Sequence, residues 1–377
     1  MKRFEPIGKY IHLVDIRNSD LSVKNLLGIA SNKTYIPSVA NVIGTDLSKY
    51  KVIKEGQFSC NLMHVSRDGV VPVALYYGSP AIVSPAYPVF EVNNTEELLP
   101  EYLHLYLSSS EFDREAVFHA MVGVRGSLIW EDFLSIKIPV PSIELQRKMV
   151  EELKIVEQRI VNNNEIINNL KKLAHLYYHH NIVENIDLNN LPLDWKLTTI
   201  QEYCLCIKSG GTPSRGVAEY WNQKDYPWLK TGEVQNNVVV EVEEYISSEG
   251  LNNSSAKLIP SGSVVMAMYG GGTLSNVAYL DLETTTNQAC CNMICHSKED
   301  AAFLYFHLLH EQDEIKKLAN GGAQENLSID LISNQSILTF KERNIKQFFL
   351  TILEQLVLLY RENSQLVRVK NVLLENI

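Results

Sequence analysis

The most regular pattern in the chain is a repeat of mostly apolar positions at alternating intervals of four and three residues. It occurs in two separate stretches, each about four heptads long. The first stretch comprises Met149, Leu153, Val156, Ile160, Asn163, Ile167, Leu170, Ala174 and Tyr177. The second comprises Ile345, Phe349, Ile352, Leu356, Leu359, Asn363, Leu366, Lys370 and Leu373. This spacing places one stripe on one helical face and predicts the seam of a coiled coil.

One asparagine lies in each predicted seam, at Asn163 and Asn363. A polar residue at such a position often fixes the register of paired helices. The pattern also permits a second interpretation, in which two amphipathic helices pack on separate globular cores. Helices of roughly 30 to 35 residues would each be about 45 to 50 Å long.

The segments that precede the two predicted helices also resemble each other. Residues 101–112 and 302–313 both have an amphipathic helical pattern, and residues 123–138 align with 322–337 without a gap. Runs of β-branched residues bounded by Gly, Asn and Pro predict short strands in both halves. The chain is therefore interpreted as globule, long helix, globule, long helix, with bounds at 1–140, 141–184, 185–340 and 341–377. The predicted fold class is α+β: two globular domains (mixed, β-rich α/β) separated by two long antiparallel coiled-coil helices with pseudo-twofold symmetry.

Composition and charge restrict the function classes. The chain has 377 residues, of which 45% are hydrophobic and 21% charged, as expected for a soluble protein of two or three compact units. The formal net charge is -10, so the net charge does not attract nucleic acid. Residues 1–56 nevertheless carry nine Lys and Arg against five Asp and Glu, whereas residues 241–256 hold four Glu and no cation. A local basic face is compatible with this distribution.

No membrane span, secretory signal or metal site is predicted. The uncharged run 69–90 contains four prolines, which favours short buried strands over a transmembrane helix. The first residues lack an apolar core and a small-residue cleavage site, so we expect a cytoplasmic protein. The six cysteines form no CxxC pair, and neither metal ligands nor catalytic residues are predicted.

A longer motif opens the second predicted globule. Residues 191–234, "LPLDWKLTTIQEYCLCIKSGGTPSRGVAEYWNQKDYPWLKTGEV", resemble the start of a target recognition domain in the specificity subunit (HsdS) of type I restriction-modification systems. In that family the domain also has an "NQ" strand and a Gly-Gln-Asn-Ile/Leu-Ser turn, which here resemble residues 287–288 and "GGAQENLS" at 321–328. The resemblance covers essentially the whole chain, because the two helices are similar to the family's central and C-terminal spacers.

The sequence departs from the family pattern in two places. The first globule lacks "GGTP" and has "SNKTYIPS" at 31–38 and "EGQFSCNLMHVSRDG" at 55–69, so the half-site that it reads cannot be inferred by analogy. The second spacer begins with "ILTFK" at 337–341, where the first has "IPVPS" at 138–142. The packing of the second helix at its start is therefore not predicted.

The resemblance implies a DNA-recognition scaffold that has no catalysis of its own. Family members hold two methyltransferase (M) subunits, which bind S-adenosylmethionine and methylate adenine, and two motor-nuclease (R) subunits can join. Each recognition domain reads one half of a bipartite duplex site, and the spacers set the gap. No cofactor is expected on this chain, which lacks [ND]PP[YF] and GxxxxGK[ST] motifs. Two alternatives stay open. One is a DNA-binding adaptor or scaffold of another phage-defence complex, with the same fold but no restriction role. The other is a nucleotide site at the "GGTP" loop.

Candidate DNA contacts are cations, amides and hydroxyls in predicted loops, which suit phosphate and base edges. In the first domain they are Lys33, Tyr35, His64, Arg67 and Arg125. In the second they are Lys208, Thr212, Ser214, Arg215, Lys230, Tyr269, Asn276, Gln324 and Asn326. For each, the alternative is a solvated surface charge or a turn-capping amide. Asn287 and Gln288 are expected to pair with neighbouring backbone.

Two further expectations concern the "SGGTPSRGVAEYW" loop and the outer faces of the helices. The glycines of the loop are expected to permit a tight turn, with Thr212, Ser214 and Arg215 directed towards a DNA phosphate. Apolar residues outside the seams are expected to dock the methyltransferase subunits. Examples are Ile155, Leu176, Phe348 and Leu358.

Overall fold

The structure, a computed structural model, describes residues 3–38, 44–63, 65–122, 127–270, 272–319 and 325–375. The chain forms two compact units. Unit 1 comprises Met1–Arg159 and Val367–Ile377, and unit 2 comprises Ile160–Leu366. Both units mix helices with β-sheets, so the predicted α+β class is confirmed.

Unit 1 is built around short strands. They are β1 (Arg3–Pro6), β2 (Ile11–Leu13), β3 (Leu27–Ile29), β4 (Tyr35–Pro37), β5 (Lys51–Ile53), β6 (Phe58–Cys60), β7 (Val73–Leu75), β8 (Ala81–Val83), β9 (Val89–Val92) and β10 (Lys137–Val140). One sheet has the order β2-β9-β6-β7, and three strand pairs are β1-β10, β3-β4 and β5-β8. Strands β7 and β8 lie within the proline-rich apolar run, as the sequence predicts, and β9 begins at its end.

Four helices cover the core of unit 1. They are α1 (Val65–Asp68), α2 (Pro100–Leu107), α3 (Ser110–Val122) and α4 (Trp130–Ser135). Phe58 and Phe90 stack at 5.0 Å between ring centroids, and Phe133 packs against Phe90. All three rings are fully buried, and burying such aromatic surface is a main source of core stability.

Unit 2 contains two larger sheets. Its strands are β11 (Trp195–Thr199), β12 (Cys206–Ser209), β13 (Tyr226–Leu229), β14 (Asn237–Val239), β15 (Glu244–Ile246), β16 (Leu258–Ile259), β17 (Val264–Ala267), β18 (Val277–Leu280), β19 (Thr284–Thr286), β20 (Cys290–Ile294) and β21 (Ser336–Phe340). The five-stranded sheet has the order β12-β20-β17-β18-β14, the four-stranded sheet β15-β13-β19-β16, and β11 pairs with β21. A buried apolar cluster that includes Leu229, Val265 and Cys290 joins strands of both sheets.

Apart from the two long helices described below, the described part of unit 2 has short helices and one longer, buried helix. They are α6 (Ile200–Tyr203), α7 (Ser248–Asn252), α8 (Lys298–His310), α9 (Gln312–Lys317) and α10 (Ile329–Ser333). Ser297 caps α8 by accepting a hydrogen bond from the Asp300 amide at 3.1 Å. Residues 301–308 of α8 are all buried, so this helix forms the centre of the unit 2 core.

Two long helices, α5 (Ile143–Tyr178) and α11 (Arg343–Glu375), continue from the two globular parts. Within unit 2 they run antiparallel, because Asn163 contacts Asn363 whereas the later Tyr177 stacks on the earlier Phe348. Within unit 1, Lys370 donates to Glu157 at 2.7 Å. The predicted seam residues are buried or half-buried along both helices.

The second interpretation of the heptad pattern, in which the helices pack on globular cores, also describes the first half of α11. Phe349 contacts Phe303 and Phe306 of α8, and Leu350 and Leu353 beside it are buried too. The apolar face of α11 is wider here than a coiled-coil seam. The first half of α11 therefore belongs to the core of unit 2 as well as to the helix pair.

Each globular part is closed by its own first and last strands. In unit 1, β1 pairs antiparallel with β10, with Arg3 opposite Val140. In unit 2, β11 pairs antiparallel with β21, with Trp195 opposite Phe340 and their rings stacked at 4.2 Å. In both units the next regular element is a long helix.

Candidate nucleic-acid interface

The two glycines of the "SGGTPSRGVAEYW" loop are packed against the rest of unit 2. A side chain on Gly210 would collide with Thr286 and the Asn287 carbonyl, and one on Gly211 with the Ser255–Ala256 backbone. Neither glycine has a positive φ. The expectation of a tight glycine turn is therefore wrong: the glycines are required because two chain segments approach them closely.

This packing does not suit the nucleotide-site alternative. The Gly210 amide donates to the Cys290 carbonyl at 3.3 Å, and the Gly211 amide donates to the Thr286 carbonyl at 2.8 Å. A phosphate-binding loop needs such amides free to face the anion. Here both amides are used within the fold.

Beyond the glycines, the loop carries an arginine that is held in a fixed position. The guanidinium carbon of Arg215 lies 3.6 Å from the ring centroid of Trp221 and 4.8 Å from that of Trp228. Its Nη1 donates to Glu244 Oε2 at 2.6 Å. Cation–π contact and a charge-assisted hydrogen bond together define the plane and the direction of the side chain.

The tryptophans are themselves anchored to the loop. Trp228 Nε1 donates to the Gly211 carbonyl at 3.0 Å, and Trp221 Nε1 donates to the Ser214 carbonyl at 3.1 Å. The two rings meet edge to face, with centroids 5.1 Å apart. Trp228 is opposite Glu244 in the β13–β15 pair, so sheet register brings the carboxylate to the arginine.

A lysine completes this group. Lys230 Nζ lies 2.7 Å from Glu243 Oε2 and 3.1 Å from Glu244 Oε1. The hydrogen bonds to Glu243 and then Glu244 raise the pKa of Lys230, and the hydrogen bond from Arg215 lowers the pKa of Glu244. We call these residues the Arg215 cluster: Arg215, Trp221, Trp228, Lys230, Glu243 and Glu244.

Other predicted contacts near the loop have different environments. Thr212 donates its hydroxyl to Gln288 Oε1, and Ser214 is exposed. Lys208 lies half-buried on β12, where its carbonyl accepts from Asn292 at 3.1 Å. Of these three residues, Ser214 is the one that is exposed and has no hydrogen-bond partner on its hydroxyl among the described residues.

The remaining predicted contacts of unit 2 differ in their exposure. Asn276 donates to the Val234 carbonyl and accepts from Gln312, each at 3.0 Å, so both ends of its amide are used in the fold. Tyr269 packs against the main core of unit 2. Asn326 is exposed, and Gln324 lies outside the described residues.

In unit 1, the structure gives Lys33 a buried position that does not suit the predicted DNA contact. Its ammonium donates to the Leu107 carbonyl at 2.5 Å and to Asp113 at 2.8 Å, and the side chain is 6% exposed. Burial lowers the pKa of Lys33, although Asp113 opposes this shift. Its φ of 64° lies in the left-handed region. The side chain therefore ties its turn to α2 and α3.

The other predicted contacts of unit 1 are placed as follows. The Tyr35 hydroxyl donates to the Ala74 carbonyl and contacts Ser59, and burial raises its pKa. Arg67 is exposed and forms an ion pair with Asp68 at 2.6 Å. His64 and Arg125 lie outside the described residues.

Asn287 and Gln288 were both expected to pair with neighbouring backbone, and only Asn287 does so. Asn287 Oδ1 accepts from the Ala289 amide at 3.1 Å. Gln288 is exposed and accepts from Thr212 instead of from backbone.

The partners of Arg215 were missed by sequence reasoning. The two tryptophans are the "YW" and "PW" pairs of the opening motif, and the glutamates belong to the acidic run 241–256. Both signals are visible in the sequence. Their meeting depends on the β13–β15 register, which no local pattern specifies.

The described residues form neither a candidate metal site nor a membrane-spanning helix. No group of three or more His, Cys, Asp or Glu side chains in that part of the chain has metal-binding geometry. None of the helices found there is long and apolar enough to cross a membrane.

Comparison with known proteins identifies one family. Residues 30–172 and 192–359 match the model described as the type I restriction modification DNA specificity domain. The specificity subunit of the type I restriction enzyme EcoR124I/EcoR124II from Escherichia coli is 25% identical over 214 residues, which are 54% of this chain and 50% of that protein. The HindI specificity subunit from Haemophilus influenzae is 27% identical over 191 residues, 49% of this chain and 41% of that protein. The chain thus spans about half the length of these relatives or less.

A solved structure supports the fold independently. The type I restriction-modification S subunit from M. genitalium aligns with a TM-score of 0.57 at 15% sequence identity. The alignment covers 99% of this chain and 95% of that one. Because the sequence identity is only 15%, this similarity shows a shared fold and carries no argument about function.

Proposed function

The chain belongs to the type I restriction modification DNA specificity family, and on that premise we propose that it recognises a bipartite duplex DNA site without catalysing a reaction. Residues 1–140 and 185–340 are the two recognition domains, and residues 141–184 and 341–377 are the spacers. The spacers hold two adenine methyltransferase subunits, which carry S-adenosylmethionine, and two motor-nuclease subunits can join the same scaffold.

The observation that carries this proposal is the repeated connection between strand pair and long helix. Each globular part ends in the strand that pairs with its own first strand, and a long helix follows within a few residues. Each globular part is therefore joined to the start of its long helix by a pair formed from its first and last strands. Two modules of this kind suit a target with two separate halves.

Contact with DNA is supported in unit 2 by the Arg215 cluster. Arginine, lysine and exposed hydroxyl groups on one loop region are the donors that phosphates and base edges accept. In unit 1, the exposed Arg67 is the described candidate with an accessible cationic head group. The chain carries an acidic total charge of -10, so recognition would depend on directed hydrogen bonds from these local donors rather than on the net charge.

Partner docking is supported by apolar side chains on the outer faces of the long helices. The exposed fractions are 70% for Ile155, 57% for Leu176 and 56% for Leu358. Phe348, which was expected on the same surface, instead stacks on Tyr177 at 3.7 Å between ring centroids. The docking surface proposed for the methyltransferases therefore excludes Phe348.

A domain exchange tests this function. The full chain is expressed with the methyltransferase subunits of its own genome, and adenine methylation is read across the host DNA. Exchange of residues 185–339 for the corresponding region of another family member should change one half of the methylated motif and leave the other half unchanged. An unaltered motif would contradict the proposal.

A further inference from the structure

The sequence suggested that Arg215 meets a DNA phosphate, but the charges around it argue against a simple phosphate contact. Two cations, Arg215 and Lys230, face two carboxylates, Glu243 and Glu244, at 2.6 to 3.1 Å. The formal charge of this group is zero. Because its carboxylates would repel a phosphate, the cluster is a poor general attractant for the DNA backbone.

The same contacts suit a residue that must present its donors in one direction. The guanidinium is planar and has five N–H donors. Trp221 covers one face at 3.6 Å, and Glu244 holds Nη1 at 2.6 Å. The Arg215 side chain is nevertheless 52% exposed, so donors remain accessible in the plane of the group.

Resting on the proposed function, we infer that Arg215 reads a guanine in the half-site bound by unit 2. Guanine presents two acceptors, O6 and N7, in the major groove, and a planar guanidinium donates to both at once. Trp221 and Glu244 act as positioning residues, because they fix the plane and the direction of the guanidinium. Lysine cannot reproduce this contact, because its ammonium is a point charge without a planar fork.

The charge arrangement also explains how this site would reject other sequences. A base without two acceptors at this position leaves the arginine donors unpaired after they lose water, which is unfavourable. Glu243 and Glu244 remain close by and weaken any compensating phosphate contact. Discrimination at this base pair should therefore exceed the contribution of Arg215 to non-specific binding.

The experiment uses the full chain together with its methyltransferase subunits, with the methylated motif determined for the wild type, Arg215→Lys and Arg215→Ala. Arg343→Lys is the matched control, because Arg343 is an exposed arginine of the same unit at the start of α11. Binding is then measured on duplexes that differ at single base pairs of the wild-type motif. Thermal unfolding of each complex verifies that the variants are folded.

We expect one guanine in the unit 2 half-site at which the wild type prefers guanine by about 10- to 100-fold. Both Arg215 variants should lose this preference and keep every other position, and Arg343→Lys should keep all of them. If Arg215→Lys retains the complete motif, or if the relaxed position is not a guanine, the inference is wrong while the proposed function stands. A wild-type complex that selects no bipartite motif would contradict both.

A second variant separates positioning from charge. Glu244→Gln removes one carboxylate from the cluster, and Glu249→Gln makes the same charge change on α7, where Glu249 is exposed. Glu244→Gln should weaken the guanine preference and steepen the salt dependence of non-specific binding by up to about one unit of log K against log salt. Equal behaviour of the two variants would overturn the positioning role of Glu244.

Discussion

Asn163 donates from Nδ2 to Asn363 Oδ1 at 3.0 Å, joining the two long helices within unit 2 through the one asparagine that each predicted seam contains. Asn363 in turn donates to Asn164 at 3.0 Å, and Asn163 is fully buried. Asn163 also donates to Glu362 at 3.0 Å, and Asn363 is half-buried. These amide hydrogen bonds form in one helix register and are lost in others. The pair therefore specifies the register at some cost in stability.

Replacement of these asparagines tests that role. Asn163→Leu alone should reduce the free energy of unfolding by about 1 to 2 kcal/mol, because Asn363 loses a buried partner. The double variant Asn163→Leu/Asn363→Leu should regain part of this loss, because neither asparagine is then left without the other. The bonds to Glu362 and Asn164 are still lost. Chemical denaturation measures both, and Asn169→Leu, at an exposed position of the same helix, is the control. A double variant less stable than the single one would contradict the account.

The close packing of the loop glycines makes a second prediction. Gly210→Ala should destabilise unit 2 by about 1 to 3 kcal/mol, because its Cβ would press on Thr286 and the Asn287 carbonyl. Gly232→Ala is the matched control, since nothing lies within 4 Å of its Cβ and its φ is not positive. Thermal unfolding should therefore show a lower midpoint for Gly210→Ala only. Equal midpoints would contradict this prediction, because they would mean that Thr286 and the Asn287 carbonyl move aside at little cost in free energy.

Lys171 makes stability depend on pH. It lies on α5, half-buried, and donates to the Asn236 carbonyl at 2.5 Å and the Tyr360 hydroxyl at 3.1 Å. Burial lowers the pKa of Lys171 from 10.5 to about 8. Between pH 8 and pH 10.5 the Lys171 amine is protonated in the unfolded chain and neutral in the folded chain. The free energy of unfolding therefore increases as the pH rises through this range and decreases as it falls.

The corresponding measurement compares the wild type with Lys171→Met. The free energy of unfolding of the wild type should gain up to about 3 kcal/mol relative to the variant between pH 8 and pH 10.5. Other groups that titrate in this range act on both proteins and cancel in the difference. A difference that does not change with pH would show that Lys171 keeps its ordinary pKa.

The helices and the mixed β-rich units could be predicted because their signals are local or periodic. The 4-3 spacing places the inward face of α5 correctly, and the prolines of residues 69–90 predict short strands where β7 and β8 lie. The width of the apolar face of α11 could not be predicted, because Leu350 and Leu353 join the core of unit 2 through contacts that no heptad pattern describes.

Site residues were harder to predict, because their environments depend on distant partners. The local sequence around Lys33 is typical of an exposed loop cation. In the structure the side chain is buried and pairs with Asp113, 80 positions later. Arg215 was selected correctly as exposed, while its fixed orientation depends on Glu244, 29 positions away across a sheet. Charge and residue type therefore predict the loop that carries a candidate DNA contact. The contacts of Arg215 within that loop depend on the sheet register.

The proposed division of labour is that the domains read the bases and the spacers set the gap. Because the two helices pair in antiparallel fashion, a lengthened spacer requires one heptad after Ile160 and a matching heptad after Leu366. Seven residues add about 10 Å of helix, or about three base pairs of B-DNA. A heptad after Ile160 alone lengthens α5 without lengthening α11, so the helices cannot keep both the Asn163–Asn363 and the Glu157–Lys370 contacts. This variant serves as the mismatched control.

The most direct test is the methylated motif of the chain that carries both heptads, read across the host genome beside that of the wild type. The account predicts the same bases in both half-sites and a gap longer by about three base pairs. A change in the half-site bases, or methylation with the original gap, would contradict it.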